Sequence, residues 1–142
     1  MSHSDNLTAT EGSESVLREY VLGVRIIEYT PVNGDGRQYR FEAPHHEGTI
    51  FDDREQAELY ADVYFDVNGF EEADTGERGV PPEIIQAGRD TLAAYFLTRP
   101  GTDEHWVASF YGVKPSTVER YASWVRERAE EIRAGARERG ME

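Results

Sequence analysis

The segment from Glu104 to Ser123 constrains the fold of this chain most, because its pattern predicts two short helices joined by a tight turn. Its apolar residues recur three or four positions apart, as they do on one face of a helix. Ala108 is small where the two helices would cross, and Gly112 can adopt the positive φ of a sharp turn. The predicted core positions are Val107, Ala108, Tyr111, Gly112, Val113, Val118 and Tyr121.

With its small residue, glycine turn and apolar positions together, this segment resembles the helix-turn-helix DNA-binding family. The resemblance implies that the second helix enters the major groove and that its exposed N-terminal residues touch base edges. A plain helical hairpin, as found in many helix bundles, is the alternative interpretation. The candidate DNA-binding residues are Lys114, Ser116, Thr117, Glu119, Arg120 and Ser123.

These residues have the chemistry that DNA contacts require. Pro115 suits the first turn of a helix, where its missing N–H is not needed. Ser116 and Thr117 place hydroxyls beside a helix N-terminus, which favours phosphate. Arg120 can form two hydrogen bonds with guanine, while Glu119 can accept one from cytosine or repel the DNA backbone.

The charge of the chain is unevenly distributed. The net charge is −13, and residues 1–98 hold 7 arginines against 20 acidic residues. Residues 99–142 hold 8 basic and 8 acidic residues. The predicted helix-turn-helix half therefore lies outside the acidic part of the chain, and the two halves face different partners or constraints.

Lys114 is the only lysine, whereas the chain has 14 arginines and no cysteine. With the acidic balance, this composition resembles the proteins of salt-accumulating halophilic archaea; an acidic protein from a GC-rich genome is the alternative. In molar salt, counterion release contributes little to DNA binding. We therefore expect DNA binding by this protein to depend on directed base contacts and dimer geometry more than on a broad basic patch.

The N-terminal half predicts a ββα unit over residues 16–70 that dimerises or senses a ligand. Tyr20 to Tyr29 and Gln38 to Ala43 have strand patterns, and the turn residues 33–36 separate them. A short extension follows at residues 49–51. Asp52 then starts a helix in a capping-box-like pair with Glu55, and its apolar stripe should cover the hairpin.

The C-terminal half predicts a trihelical, non-winged helix-turn-helix domain over residues 80–140. Residues 71–79 form an acidic, glycine-bearing linker. One helix covers residues 81–96, Thr102 or Asp103 caps the second, and the third starts at Pro115. Its later arginines and glutamates predict a solvated face with links such as Arg126 to Glu130, or phosphate or subunit contacts. The fold class is therefore α+β.

Other functional classes have weak signals. Residues 1–15 are polar, which predicts a disordered tail without a secretory signal core, and no apolar run is long enough to span a membrane. His45, His46 and Glu47 adjoin on a loop and lack helical metal-site spacing. We therefore expect that the protein is not an enzyme and has no catalytic residue, metal or cofactor. We also expect it to be cytoplasmic.

The sequence thus predicts a sequence-specific transcriptional regulator that binds double-stranded DNA. It would form a homodimer through the ββα unit or the C-terminal helix. Two alternatives remain: a protein–protein adaptor, and an accessory factor for plasmid or viral DNA processing that uses the same helical domain.

Overall fold

The structure, a computed structural model, describes residues 12–32, 36–44, 46, 48–70 and 80–140. It is α+β, as predicted: a four-stranded antiparallel sheet in the order β1-β2-β3-β4 is followed by helices. The strands are β1 (Gly12–Glu19), β2 (Arg25–Pro31), β3 (Gln38–Glu42) and β4 (Thr49–Phe51). The described helices are α1 (Arg54–Asp66), α2 (Pro82–Ala87), α3 (Arg89–Leu97), α4 (Glu104–Tyr111) and α5 (Pro115–Glu138).

Helix α1 covers one face of the sheet. The strand register places Ile26 opposite Phe41, and both side chains are fully buried. The Phe41 ring lies 5.0 Å from the Tyr60 ring and 5.2 Å from the Tyr64 ring of α1. The apolar stripe of α1 therefore packs on the sheet, as its spacing predicts.

The opposite face of the sheet carries charged side chains. Arg40 follows the strand alternation to this face and forms ion pairs with Glu14 at 3.0 Å and Glu42 at 2.9 Å. The hydrogen bond from Arg40 lowers the pKa of the Glu14 carboxyl. The Arg40–Glu14 pair joins β1 to β3 across β2 on the solvent side, whereas Glu42 lies on β3 beside Arg40.

Helix α5 extends the core from the sheet to the C-terminal half. Ala122, Val125 and Ala129 belong to the same buried cluster as Ile26 of the sheet and Tyr95 of α3. Residues on both sides of the predicted 71–79 linker therefore share one core, although the linker itself lies outside the described residues.

The first strand differs from the prediction. Residues 12–15, predicted to belong to a disordered tail, form the first half of β1; residues 1–11 of that tail lie outside the described residues. The strand predicted over Tyr20 to Tyr29 begins only at Arg25. A turn precedes the strand, with φ of 63° at Leu22 and 75° at Gly23. Apolar residues on either side of this turn continue the pattern of the strand, so the turn was not predicted.

Two helix boundaries also need correction. Asp53, not Asp52, caps α1, and its Oδ2 accepts a hydrogen bond of 3.1 Å from the backbone N–H of Gln56. The single helix predicted over residues 81–96 is divided into α2 and α3 at Gly88, where φ is 125°. Asp103, one of the two predicted caps, caps α4.

The predicted solvated charge face of the last helix is only partly correct. Arg128 forms ion pairs with Asp66 of α1 at 2.7 Å and Asp90 of α3 at 2.9 Å. Arg133 pairs with Asp62 of α1 at 2.9 Å. Periodicity did not reveal these contacts, because the acidic partners are distant in sequence.

Candidate nucleic-acid interface

A small second core holds α3, α4 and α5 together. Ala93 of α3, Val107 and Ala108 of α4, and Val118 of α5 are its buried members. Ala108 is small, so the α4 and α5 backbones can approach closely at this position. The half-buried residues that pack around it are Phe96, Leu97, Tyr111, Val113 and Tyr121.

The turn between α4 and α5 is set by Gly112, which has φ 70° and ψ 36°. The backbone N–H of Val113 donates to the Ala108 carbonyl at 2.9 Å, and that of Gly112 donates to the Ser109 carbonyl at 3.2 Å. This hydrogen-bond pair is a Schellman motif, which ends a helix and turns the chain sharply. The turn therefore fixes where α5 begins.

The first turns of α5 expose five of the six predicted DNA-binding residues. Lys114 is the N-cap residue, and no side chain caps the helix at this end. Thr117 is half-buried, because it lies next to the buried Val118. The exposed members are Lys114, Ser116, Glu119, Arg120 and Ser123.

The charges on this surface are mixed. Within the described residues, no ion pair joins Lys114 or Arg120 to a carboxylate, whereas Arg128 and Arg133 point inward to acidic partners. Partial desolvation raises the pKa of Glu104, and the neighbouring Glu119 carboxyl raises it further. The two glutamates therefore place negative charge beside the outward basic groups.

An exposed aromatic surface that was not predicted from the sequence lies on α4. The Trp106 and Phe110 rings stack with centroids 5.4 Å apart and planes 7° apart. They are 43% and 58% exposed, and both contact Phe96 of α3. Their spacing of four residues indicates a shared helix face, but it does not show whether that face is buried.

A second aromatic group lies where α3, α4 and α5 meet. The Arg89 guanidinium lies 5.3 Å from the centre of the Tyr111 ring. Burial raises the pKa of Tyr111, whose hydroxyl is buried and has no hydrogen-bond partner within the described residues. On α5, the Tyr121 and Trp124 ring centroids are 5.9 Å apart.

His46, the described histidine of the predicted loop, contacts neighbouring protein groups through its ring. His46 Nε2 lies 2.9 Å from the Tyr60 hydroxyl, and the backbone N–H of Gly48 donates to His46 Nδ1. Both ring nitrogens therefore have structural contacts, while His45 and Glu47 lie outside the described residues. Among the residues that the structure describes, no group of three or more metal-binding side chains occurs.

No helix in the described parts of the chain is long and apolar enough to cross a membrane. Comparisons with protein-family models, curated proteins and solved structures gave no match.

Proposed function

We propose that this chain is a sequence-specific DNA-binding protein, a transcriptional regulator of a halophilic archaeon, that reads the major groove with α5. The observation that carries the proposal is the α4–Gly112–α5 arrangement. It buries Val107, Ala108 and Val118 on one side and exposes Lys114 and Arg120 on the other, where the described part of the chain provides no ion pair for either.

The arginines of α5 include an inward-facing pair and the outward-facing Arg120, which supports this function. Arg128 and Arg133 fasten the helix to α1 and α3, so the helix is held rigidly behind its exposed N-terminal turns. A rigid helix with Arg120 outward can present a guanidinium for two hydrogen bonds to guanine. Ser116 and Ser123 add short donors that can bind bases or phosphates.

Glu104 and Glu119 limit this interface to selected DNA sites. Their carboxylates oppose a nearby phosphate backbone, so binding from charge alone is weak. High salt screens this repulsion, while base-edge hydrogen bonds are affected less. We therefore propose that the protein selects sites by base contacts, and that a homodimer doubles the number of contacts at a palindromic site.

The experiment is selection of DNA sites from a random pool in molar KCl, followed by affinity measurements on the selected site. We expect a defined site, and Arg120→Ala should weaken binding to it by about 1–3 kcal/mol and relax preference at one position. Arg137→Ala is the matched control, because Arg137 is exposed near the far end of α5. An unselected pool, or an Arg120→Ala variant that binds like the parent, would contradict the proposal.

A second candidate function, a protein–protein adaptor, is favoured by the exposed Trp106 and Phe110 pair. Exposed aromatic clusters mark partner surfaces in many proteins. Under the DNA-binding proposal, Trp106→Ala should leave affinity for a selected site unchanged, since Trp106 is not one of the proposed DNA-binding residues on α5. Failure of DNA selection together with loss of partner binding in Trp106→Ala would favour the adaptor.

A further inference from the structure

Trp124 continues the exposed side of α5 beyond the predicted DNA-binding residues. It follows Thr117 by seven positions and Arg120 by four, and residues at these spacings lie on one side of a helix. Trp124 is 43% exposed, and it is the only large apolar residue of α5 with such exposure. It therefore extends the surface that the proposed function places against DNA.

The Trp124 ring is supported from behind by Tyr121. The two ring centroids are 5.9 Å apart, and the ring planes differ by 48°. Tyr121 is half-buried and packs against the small core that includes Val107 and Val118. The core that positions the start of α5 thus also supports the exposed indole.

The two sides of Arg120 differ in charge. Successive residues of a helix are about 100° apart, so Glu119 lies on one side of Arg120 and Tyr121 on the other. The Glu119 carboxylate repels DNA, whereas Thr117, Tyr121 and Trp124 are uncharged. DNA that contacts Arg120 therefore meets less repulsion on the side of Trp124.

Exposed acidic residues limit this surface one turn beyond Trp124. Glu127 and Glu131 follow on the same helix, and both are exposed. Their carboxylates oppose further contact with DNA, so Trp124 is the last residue of this side that suits a base contact.

We infer that the Trp124 indole contacts the C5 methyl group of a thymine near the base that Arg120 reads; this inference rests on the proposed function. Thymine presents an apolar methyl group in the major groove, and apolar side chains recognise it by contact. Four residues of α5 span about 6 Å, and successive base pairs are about 3.4 Å apart. The thymine therefore lies within about two base pairs of the base that Arg120 contacts.

Replacement of thymine by uracil in the selected DNA site tests this inference. Uracil keeps the hydrogen-bonding groups of thymine and lacks only the C5 methyl group. Each thymine within about two base pairs of the position that Arg120→Ala relaxes is replaced in turn, and dissociation constants are measured in molar KCl. We expect one replacement to weaken binding about three- to fivefold, as loss of contact with a single methyl group would.

Three variants assign the methyl contact to Trp124. Trp124→Ala should bind the thymine and uracil sites with equal affinity, and Trp124→Phe, which keeps an apolar ring, should retain part of the preference. Trp106→Ala is the matched control, because Trp106 is also 43% exposed but lies on α4. It should prefer thymine as strongly as the parent does. Urea denaturation checks that each variant is folded.

The inference is overturned if uracil binds as tightly as thymine at every position tested. It is also overturned if folded Trp124→Ala still prefers thymine, because another group would then read the methyl. A selected site that depends on Arg120 but on no thymine methyl overturns this inference alone and leaves the proposed function intact. Failure to select any DNA site overturns both.

Discussion

Arg133 carries the most deeply buried charge on α5, with 5% of the residue exposed. Its guanidinium pairs with Asp62 and lies about 5 Å from the centres of the Tyr20 and Phe65 rings. Burial raises the pKa of Asp62, and the hydrogen bond from Arg133 opposes that shift. Arg133 also pairs with the exposed Glu130 at 2.9 Å, whereas the buried Asp62 carboxylate depends on Arg133 for its hydrogen bond.

Replacing Arg133 with methionine keeps much of the packing but removes the partner of Asp62. We expect Arg133→Met to lower the free energy of unfolding by about 3–5 kcal/mol, measured by urea denaturation. Arg137→Met, at an exposed position of the same helix, should change it by about 0.5 kcal/mol or less. Equal midpoints for Arg133→Met and the parent would show that Asp62 does not need this pair.

Tyr20 makes the free energy of unfolding depend on pH in the alkaline range. Its hydroxyl is buried without a hydrogen-bond partner within the described residues, and burial raises its pKa from 10 to about 12. The unfolded chain ionises Tyr20 near pH 10, while the folded chain retains the proton. The contribution of Tyr20 to folding is thus complete below pH 10 and is lost as the pH rises to about 12.

Tyr20→Phe should fold at least as stably as the parent at neutral pH, because it removes an unpaired buried hydroxyl. Between pH 10 and about 12 its advantage should grow by at most about 1.4 kcal/mol for each pH unit. Urea midpoints of both proteins across this range measure the difference. A difference that stays constant with pH would mean that Tyr20 ionises equally in both states.

The turn between α4 and α5 depends on a residue that tolerates positive φ at position 112. A Cβ placed there meets no atom within 4 Å, so only the positive φ of 70° opposes a side chain. We expect Gly112→Ala to lower the free energy of unfolding by about 1–2 kcal/mol. Gly135→Ala, inside α5, should raise it by about 0.5–1 kcal/mol. Shifts of the same sign in urea denaturation would contradict this account.

The elements could be predicted where local chemistry decides them. The cap of α4, predicted at Thr102 or Asp103, lies at Asp103, and α5 starts at Pro115 as predicted. The turn before β2 was not predicted. Val21 and Val24 are buried in this turn, and buried apolar residues have the same sequence pattern in a turn as in a strand.

The candidate site, too, could be predicted only where local sequence decides the structure. Outward positions on α5 follow from helical spacing, but the exposure of Trp106 and the inward pairing of Arg128 depend on contacts with α3 and α1. The contact of Arg128 with Asp66 joins residues 62 positions apart, and no periodic pattern records it.

Arg128 of α5 joins three helices, because its partners lie on α1 and α3. It donates to both carboxylate oxygens of Asp66, to Asp90 and to the Thr91 hydroxyl. Hydrogen bonds from Arg128 to Asp66 and Asp90 raise the pKa of its guanidinium, so the contact stays charged. The helix that carries the candidate DNA-binding residues is therefore fastened to the sheet-covering helix by charge as well as by apolar packing.

The molecule as a whole should gain stability from salt. Its 28 acidic residues exceed its 15 basic residues, so the folded chain repels itself in dilute buffer. Salt also weakens the exposed ion pairs, but each of these contributes only about 0–1 kcal/mol. The buried contacts of Arg133 and Asp62 are screened less. The net effect of screening should therefore be stabilising.

We expect the urea midpoint to rise with KCl, and most of the rise should occur between about 0.01 M and 1 M. Over this interval the Debye length falls from about 30 Å to about 3 Å, so screening is nearly complete at its upper end. A variant with Glu55, Glu127 and Glu131 replaced by glutamine should show a smaller rise, because it has three fewer exposed negative charges. A midpoint that falls with KCl would mean that the local ion pairs, led by Arg40 and Arg128, outweigh the repulsion between the excess carboxylates.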